Sequence, residues 1–249
     1  MKPLPESICH ILAYHEILKD SSLLSGFQSK SADTYKVSLE AFREQLDAIT
    51  NLTNSAPVIL NPSTAEGWAL TFDDGGISNY DVILPELEDR GWKAHFFIVT
   101  SCIGSPGFMS ADQTRELHRL GHSVGSHSVT HPAGMRKMPA KKILKEWQDS
   151  KNRLEDILGE SVTSAAVPFG SVDSASLNTL ASTGYRTIFT SDPVSYPKNI
   201  KDATVWGRYT VTSKTSARKV AKRAAGKPGT FAGERLYFHL KQTVRSFTK

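Results

Sequence analysis

Two aspartates stand side by side in "ALTFDDGG", residues 69–76, where an apolar run meets a pair of glycines. An ordinary buried strand does not end in carboxylates, so Asp73 and Asp74 are candidates for proton transfer or for holding a cation. Neighbouring side chains on a strand point to opposite faces. Both acids can serve one site only where the backbone turns, and Gly75 and Gly76, which tolerate positive φ, are expected to make that turn. A plain turn or helix cap uses the same residue types. Further along, "GHSVGSHSVTHP", residues 121–132, offers His122, His127 and His131. His127 and His131 are four apart, a spacing that puts both on one side of a helix or of an extended strand. Two imidazoles and a carboxylate from a neighbouring strand end would make a facial set of metal ligands with positions left for water. His122 begins an expected strand and reads as structural. His118 reads as a surface residue and His95, in "KAHFFIV", as a satisfied core histidine, while His10 and His239 fit no pattern.

Such a site needs elements that bring residues 73 and 131 together. Short apolar runs at 11–15, 57–60, 68–73, 93–100, 123–127, 164–168, 186–191 and 203–211 are expected strands. Helical patterns lie between them at 39–49, 79–90, 111–120, 139–158, 173–183 and 214–225, several closed by a glycine. Strands alternating with helices imply βαβ units and a parallel sheet. With this many units a closed or distorted barrel is expected, and in barrels chemistry gathers at the C-terminal strand ends, where Asp73 and Asp74 lie.

Composition sets the remaining bounds. The chain has 249 residues, 39% hydrophobic and 22% charged, as in ordinary soluble proteins. No apolar stretch approaches the roughly 20 residues that span a bilayer. The opening "MKPLPESICHILAYHEI" has no charged segment leading into a long apolar one. Cys9 and Cys102 do not make a disulfide framework. A cytoplasmic location is the expectation. The net charge of +5 is uneven: residues 212–249 hold ten Lys or Arg against Glu234 alone, so the rest is mildly acidic. A basic tail is usually a solvated face; the competing readings are contact with an anionic membrane surface or with an acidic polymer. Leu236, Leu240, Val244 and Phe247 fall on one helical face with Arg235, Lys241, Arg245 and Lys249 around it, a stripe expected either to pack on the barrel or to lie at a membrane as an interfacial helix.

"TFDDG", then "HSVTH", then "VPFG" resembles the polysaccharide deacetylases with NodB homology, carbohydrate esterase family 4, over roughly residues 8–211. The resemblance implies a distorted (β/α) barrel of seven or eight strands, with residues 1–211 as the catalytic domain and 212–249 as a basic helical extension. It implies Asp74, His127 and His131 as ligands of one divalent metal. Zinc is the first expectation, with cobalt, nickel and iron also compatible. Asp73 would be the catalytic base and Ser128 would hold the histidine loop. In "VPFG" the Phe169 amide, beside Pro168, would serve the oxyanion and substrate. The chain departs from the family where an arginine should brace the catalytic aspartate, because Ala166 stands there. No tryptophan-bearing fourth motif follows. A subgroup, the poly-N-acetylglucosamine deacetylases of biofilm systems, carries its motifs in permuted order. "ILAYHEI" is similar to the strand that comes first there, which makes His15 the general acid, and Arg208 in "TVWGRYTV" becomes the replacement for the missing arginine. The implied activity is metal-dependent removal of N-acetyl groups from an acetylated amino-sugar polysaccharide, oligosaccharide or lipid-linked precursor, with no nucleic-acid partner, and the basic tail adds the expectation of a peripheral place at the inner membrane face. The alternatives are hydrolysis of another non-peptide C–N bond and an inactive metal-binding sugar-recognition domain.

Overall fold

The structure, a computed structural model, describes residues 8–20, 24–64, 66–170 and 172–227. In chain order its elements are β1 (Ile8–Tyr14), β2 (Glu16–Leu18), β3 (Lys36–Ser38), α1 (Leu39–Thr53), β4 (Glu66–Phe72), α2 (Leu84–Glu88), β5 (His95–Ile98), α3 (Ala111–Arg119), β6 (Ser123–Ser126), α4 (Ala140–Leu158), β7 (Ser164–Ala166), α5 (Ser174–Ala181), β8 (Thr187–Phe189), β9 (Lys198–Ile200), β10 (Ala203–Trp206), β11 (Tyr209–Thr210) and α6 (Ala217–Ala224). Nine strands form one sheet in the order β11-β1-β4-β5-β6-β7-β8-β10-β9. Every pairing is parallel except β9 with β10. β2 and β3 make a separate parallel pair.

The sheet curls because its two ends belong to one stretch of chain. β10 pairs with β8, and β11 pairs with β1. Only Gly207 and Arg208 separate β10 from β11, so this segment carries the sheet from one edge to the other. The result is the distorted (β/α) barrel expected. The strand run expected at 203–211 is therefore two strands with a break, and the break places Arg208.

Period-two alternation sorts the core into two layers. Cys9, Ile11, Ala69, Phe97, Ala166, Phe189 and Trp206 pack together inside the curl. Leu12, Tyr14, Leu70, Phe72, Phe96 and Ile98 pack outward against helix residues such as Phe42, Leu46, Leu117 and Trp147. Burying each such side chain contributes about 1.5–3 kcal/mol. The helices start where polar caps allow. Ser38 accepts from the Ala41 N–H to open α1, and Ser110 and Gln113 form a capping box on α3.

Two expectations need correction. Residues 57–60 are not a strand: the Val58 N–H donates to the Trp68 carbonyl and the Leu60 N–H to His95 Nε2, without a ladder. The helix expected at 79–90 begins as a π-helical turn, Asn79–Ile83, before α2. In the described part of the expected extension, α6 buries Val220, Ala221 and Ala224 against the core that α1 shares. The apolar face read at Leu236, Leu240, Val244 and Phe247 lies outside the described residues.

Candidate active site

Ala69 and Thr71 alternate inward along β4, and Asp73 continues that row beyond the strand end. The Asp73 N–H donates to the Tyr14 carbonyl of β1 (3.0 Å). The backbone then turns at Asp74 itself, whose φ is +75°, one residue before the glycine pair that was expected to turn it; Gly75 follows at +80°. Aspartate is among the few non-glycine residues that enter the left-handed region readily. The turn is held from behind, with the Met109 N–H donating to the Gly75 carbonyl (3.0 Å).

His127 and His131 are presented by neither helix nor strand. His127 follows β6, its N–H bonded to the Ile98 carbonyl (2.8 Å). The chain then coils tightly, with Ser128 at φ +67° and His131 at φ +53°. Ser128 Oγ accepts from the His131 N–H (3.1 Å), the brace expected of it. Glu146 of α4 accepts from the Val129 N–H (3.0 Å), the Thr130 N–H (2.9 Å) and the Thr130 hydroxyl (2.9 Å). His127 Nδ1 lies 2.8 Å from the Ala166 carbonyl. A carbonyl only accepts, so Nδ1 carries the proton and Nε2 keeps its lone pair. Asp74 Oδ1 lies 3.5 Å from Nε2 of both His127 and His131.

These three donor atoms lie within 4.8 Å of one another. Asp74 Oδ1 is buried and has no hydrogen-bond partner among the described residues. Burial, helped by the charges of Asp73 and Glu16, lifts the Asp74 carboxyl well above the ordinary range. Burial and the neighbouring His127 push the His131 imidazole down to about 3, so it stays neutral. One hard oxygen and two imidazole nitrogens converging on one point fit a divalent transition metal.

Asp73 is gripped differently. Arg208 is fully buried. Its Nη1 donates to Asp73 Oδ1 (2.7 Å), its Nη2 to Oδ2 (2.8 Å), its Nη1 also to Thr71 Oγ1 (3.0 Å), and its Nε to the Thr190 carbonyl (3.1 Å). The rings of Phe97 and Phe189 lie on it. Gly207 allows the close fold at this break, since a Cβ there would lie 2.1 Å from the Asp192 carbonyl oxygen. Burial alone would raise the Asp73 carboxyl, but Arg208, with His127 and His15, outweighs it and holds the group well below the usual carboxylate range. Ala166, where an arginine was missed, gives its carbonyl to His127 instead.

His15 follows β1 and stands beside this pair. Its ring stacks on Tyr35 with centroids 4.7 Å apart. Its Nδ1 is buried with no partner among the described residues. Burial drives the imidazole down to about 4 although Asp73 pulls the other way. Phe169 sits at φ +58°, and its ring, 48% exposed, lies 4.7 Å from the His131 ring; Pro168 beside it is buried. Four of the six non-glycine positive-φ residues described, Asp74, Ser128, His131 and Phe169, thus fall in this one site. Strained backbone gathers where function over-determines it. The other described histidines stay out of the site: His10 bonds Ser195 (2.9 Å), His122 bonds Glu88 (3.0 Å), His118 pairs with Glu160 (3.3 Å), and His95 is buried, while His239 lies outside the described residues.

Sequence reasoning missed Glu146, and it missed Phe27, whose ring lies 5.1 Å from that of His131. A glutamate on an amphipathic helix and a phenylalanine in a loop carry no signal of such roles.

The family model described as polysaccharide deacetylase matches residues 60–188, just over half of the chain. The chain belongs to that family. A putative polysaccharide deacetylase of Bacillus subtilis, YxkH, is 28% identical over 124 residues, 50% of this chain and 44% of YxkH. A chitin deacetylase of Pestalotiopsis is 33% identical over 121 residues, 49% of this chain and 40% of the relative. The chain thus spans under half the length of these relatives. Among solved structures, IcaB from Ammonifex degensii shares the fold with a TM-score of 0.69 at 23% identity, over 88% of this chain and 97% of that one. The Streptococcus pyogenes deacetylase PplD does so with a TM-score of 0.67 at 21% identity, over 88% and 99%. The family match at 60–188 includes neither His15 nor Arg208, whereas the fold matches run over most of the chain.

Proposed function

We propose that this chain hydrolyses N-acetyl groups on an amino-sugar polymer or oligomer, using a divalent cation held by Asp74, His127 and His131. The observation that carries the reading is the split character of the two adjacent acids. Asp74 has an orphaned oxygen 3.5 Å from Nε2 of two imidazoles, and Asp73 is locked as a charged carboxylate by Arg208. A cation in that place supplies Lewis acidity, lowering the pKa of water and polarising the acyl oxygen. Zinc is the first choice, and cobalt, nickel or iron suit the same ligands.

The chain's own groups do the rest. Asp73 takes the proton of the attacking water, and Arg208 keeps the carboxylate ionised and still for that task. The Phe169 N–H donates towards the developing oxyanion, an interaction worth about 3–4 kcal/mol per donor where it has been removed by mutation. An amide does not expel an unprotonated amine, so a proton must reach the nitrogen as the C–N bond breaks. His15 relays it: neutral at rest, its imidazole receives the proton that Asp73 took from the water and passes it to the nitrogen, which regenerates both groups. The products are acetate and a free amino sugar.

A cavity of about 330 Å³ beside the Phe169 turn supports an oligomeric substrate. It is lined by Tyr196, Trp206, Asp173, Asp192 and Arg136, a mix of rings and hydrogen-bonding groups suited to a hydroxyl-rich sugar. Tyr196 is 60% exposed at its rim. Acetate release from acetylated amino-sugar monomers and oligomers, with and without chelator, tests the proposal.

The basic face of α6, with Lys214, Arg218, Lys219 and Lys227 exposed around it, suits a peripheral place on an anionic membrane in the cytoplasm, each cation contributing about 1 kcal/mol near such a surface. Among the described residues no helix is long and apolar enough to cross a membrane. Co-sedimentation with vesicles at low salt should rise with anionic lipid content. Equal sedimentation with neutral and anionic vesicles would remove the idea.

A further inference from the structure

Glu16 opens β2 directly after His15, is 2% exposed, and has no part in the steps above. Its Oε2 accepts hydrogen bonds from the Ser25 and Ser78 hydroxyls, while Oε1 has no partner among the described residues. The carboxyl fills the room that side chains at two glycines would need. A Cβ at Gly76 would lie 2.2 Å from Oε1, and one at Gly26 would lie 2.4 Å from it. Gly76 stands two residues after Asp74, in the turn that presents it.

The groups around Glu16 tie three segments together. The Ser78 N–H donates to Ser25 Oγ (3.0 Å), and the Ile17 N–H donates to Ser78 Oγ (3.2 Å). The Gly26 and Ile77 N–H groups converge on the Gly107 carbonyl (2.8 and 2.9 Å). Phe27, next to Gly26, lies against the His131 ring. A single carboxyl therefore joins the loop after β2 to the Asp74 turn and, through Phe27, to the packing on the second histidine of the pair.

Nothing in stability alone asks for an acid here. Burying a carboxyl is unfavourable, and burial pushes this one up to about 7 despite its two hydroxyl donors. Acids kept in such places are candidates for a functional role. We infer that Glu16 is a positioning residue for the candidate metal site: its carboxyl clamps the Asp73–Gly76 turn to the Ser25–Phe27 loop, so that Asp74 Oδ1 stays aimed between His127 and His131. The inference rests on reading Asp74, His127 and His131 as metal ligands.

The test is the Zn²⁺ affinity of the folded protein, by competition with a chromogenic chelator well below each unfolding midpoint, for wild type, Glu16→Gln, Glu16→Asp and Glu16→Ala. Glutamine keeps the length and a carbonyl acceptor for both hydroxyls, whereas aspartate keeps the charge but falls one methylene short. Glu16→Ala and Glu16→Asp should bind Zn²⁺ about tenfold or more weakly, the usual scale for groups that orient ligands. Glu16→Gln should restore affinity to within about threefold, the effect of one modest hydrogen bond. A purely structural role would lower the unfolding midpoint and leave affinity alone; that result, or glutamine as weak as alanine, overturns the clamp. Should Glu16→Ala not fold, Gly76→Ala asks the same question from the other side, because its methyl must displace the carboxyl. It should weaken Zn²⁺ comparably, and unchanged affinity there overturns the clamp too. Wild type that binds no Zn²⁺ would instead overturn the metal-site reading itself.

Discussion

Replacing Asp73 with asparagine keeps the side chain's size and removes the charge that Arg208 is built around. A buried guanidinium left without its carboxylate destabilises by about 3–5 kcal/mol, so Asp73→Asn should lower the unfolding midpoint. It should still bind metal, because Asp73 is not one of the three converging ligands, yet lose at least about a hundredfold in turnover, the lower range for a lost general base. His15→Ala should lose turnover on the same scale with metal content and stability little changed, since its Nδ1 bonds nothing in the described structure. Elemental analysis beside acetate release separates these outcomes. Near wild-type rates in the His15 variant would leave the reaction without its proton donor. Asp73, Asp74, His127 and His131 were readable as candidates from residue type and spacing, and His15 only from the resemblance. The tautomer of His127 and the opposite pulls on Asp73 and Asp74 were not, because they arise from the Ala166 carbonyl and from Arg208, both remote in sequence.

At the scale of elements, the loop Ser128–His131 depends on one helix. Glu146 satisfies two backbone N–H groups and a hydroxyl there, so Glu146→Ala should free the loop and weaken metal affinity about tenfold, the scale of ligand-orienting contacts. Chelator competition reads this out; unchanged affinity would mean that Ser128 alone shapes the loop. The amphipathic helices were plain in the sequence because each buries a stripe at helical spacing, and most strands were plain because each is a short apolar run. The failures share a cause. Residues 57–60 look like a strand because they are apolar, but they are fixed by two bonds to β4 and β5 instead of by a ladder. The break at Gly207–Arg208 was hidden inside an apolar run. Arg208 itself came to light only through the resemblance, because Ala166 stands where the family has an arginine and the permuted subgroup has a similar late one.

Across the whole molecule, burial keeps several histidines neutral, and this sets the response to acid. His95 is the clearest, pushed down by burial to about 3 from an ordinary 6.5, with Nε2 accepting from the Leu60 N–H. Its folded value lies below its unfolded one, so the unfolded chain takes up the proton first as pH falls. Stability that is present above about pH 6.5 should decline as pH drops from there towards 3. Glu16, whose folded value is raised to about 7, acts in the opposite sense, its contribution falling as pH rises from about 4.5 through 7. The comparison of wild type with His95→Gln therefore isolates the histidine: on chelated protein, the variant's unfolding midpoint should fall less between pH 6.5 and 4. Parallel curves would show that His95 does not titrate on unfolding.

The reading as a metal-dependent deacetylase stands most directly on acetate released from acetylated amino-sugar oligomers by the purified chain. The account predicts release that stops with a strong chelator, returns on adding Zn²⁺, and is faster on oligomers than on the monomer because of the cavity beside Phe169. Release that persists with the metal stripped would contradict the site, and no release from any acetylated oligomer with Zn²⁺ bound would contradict the activity.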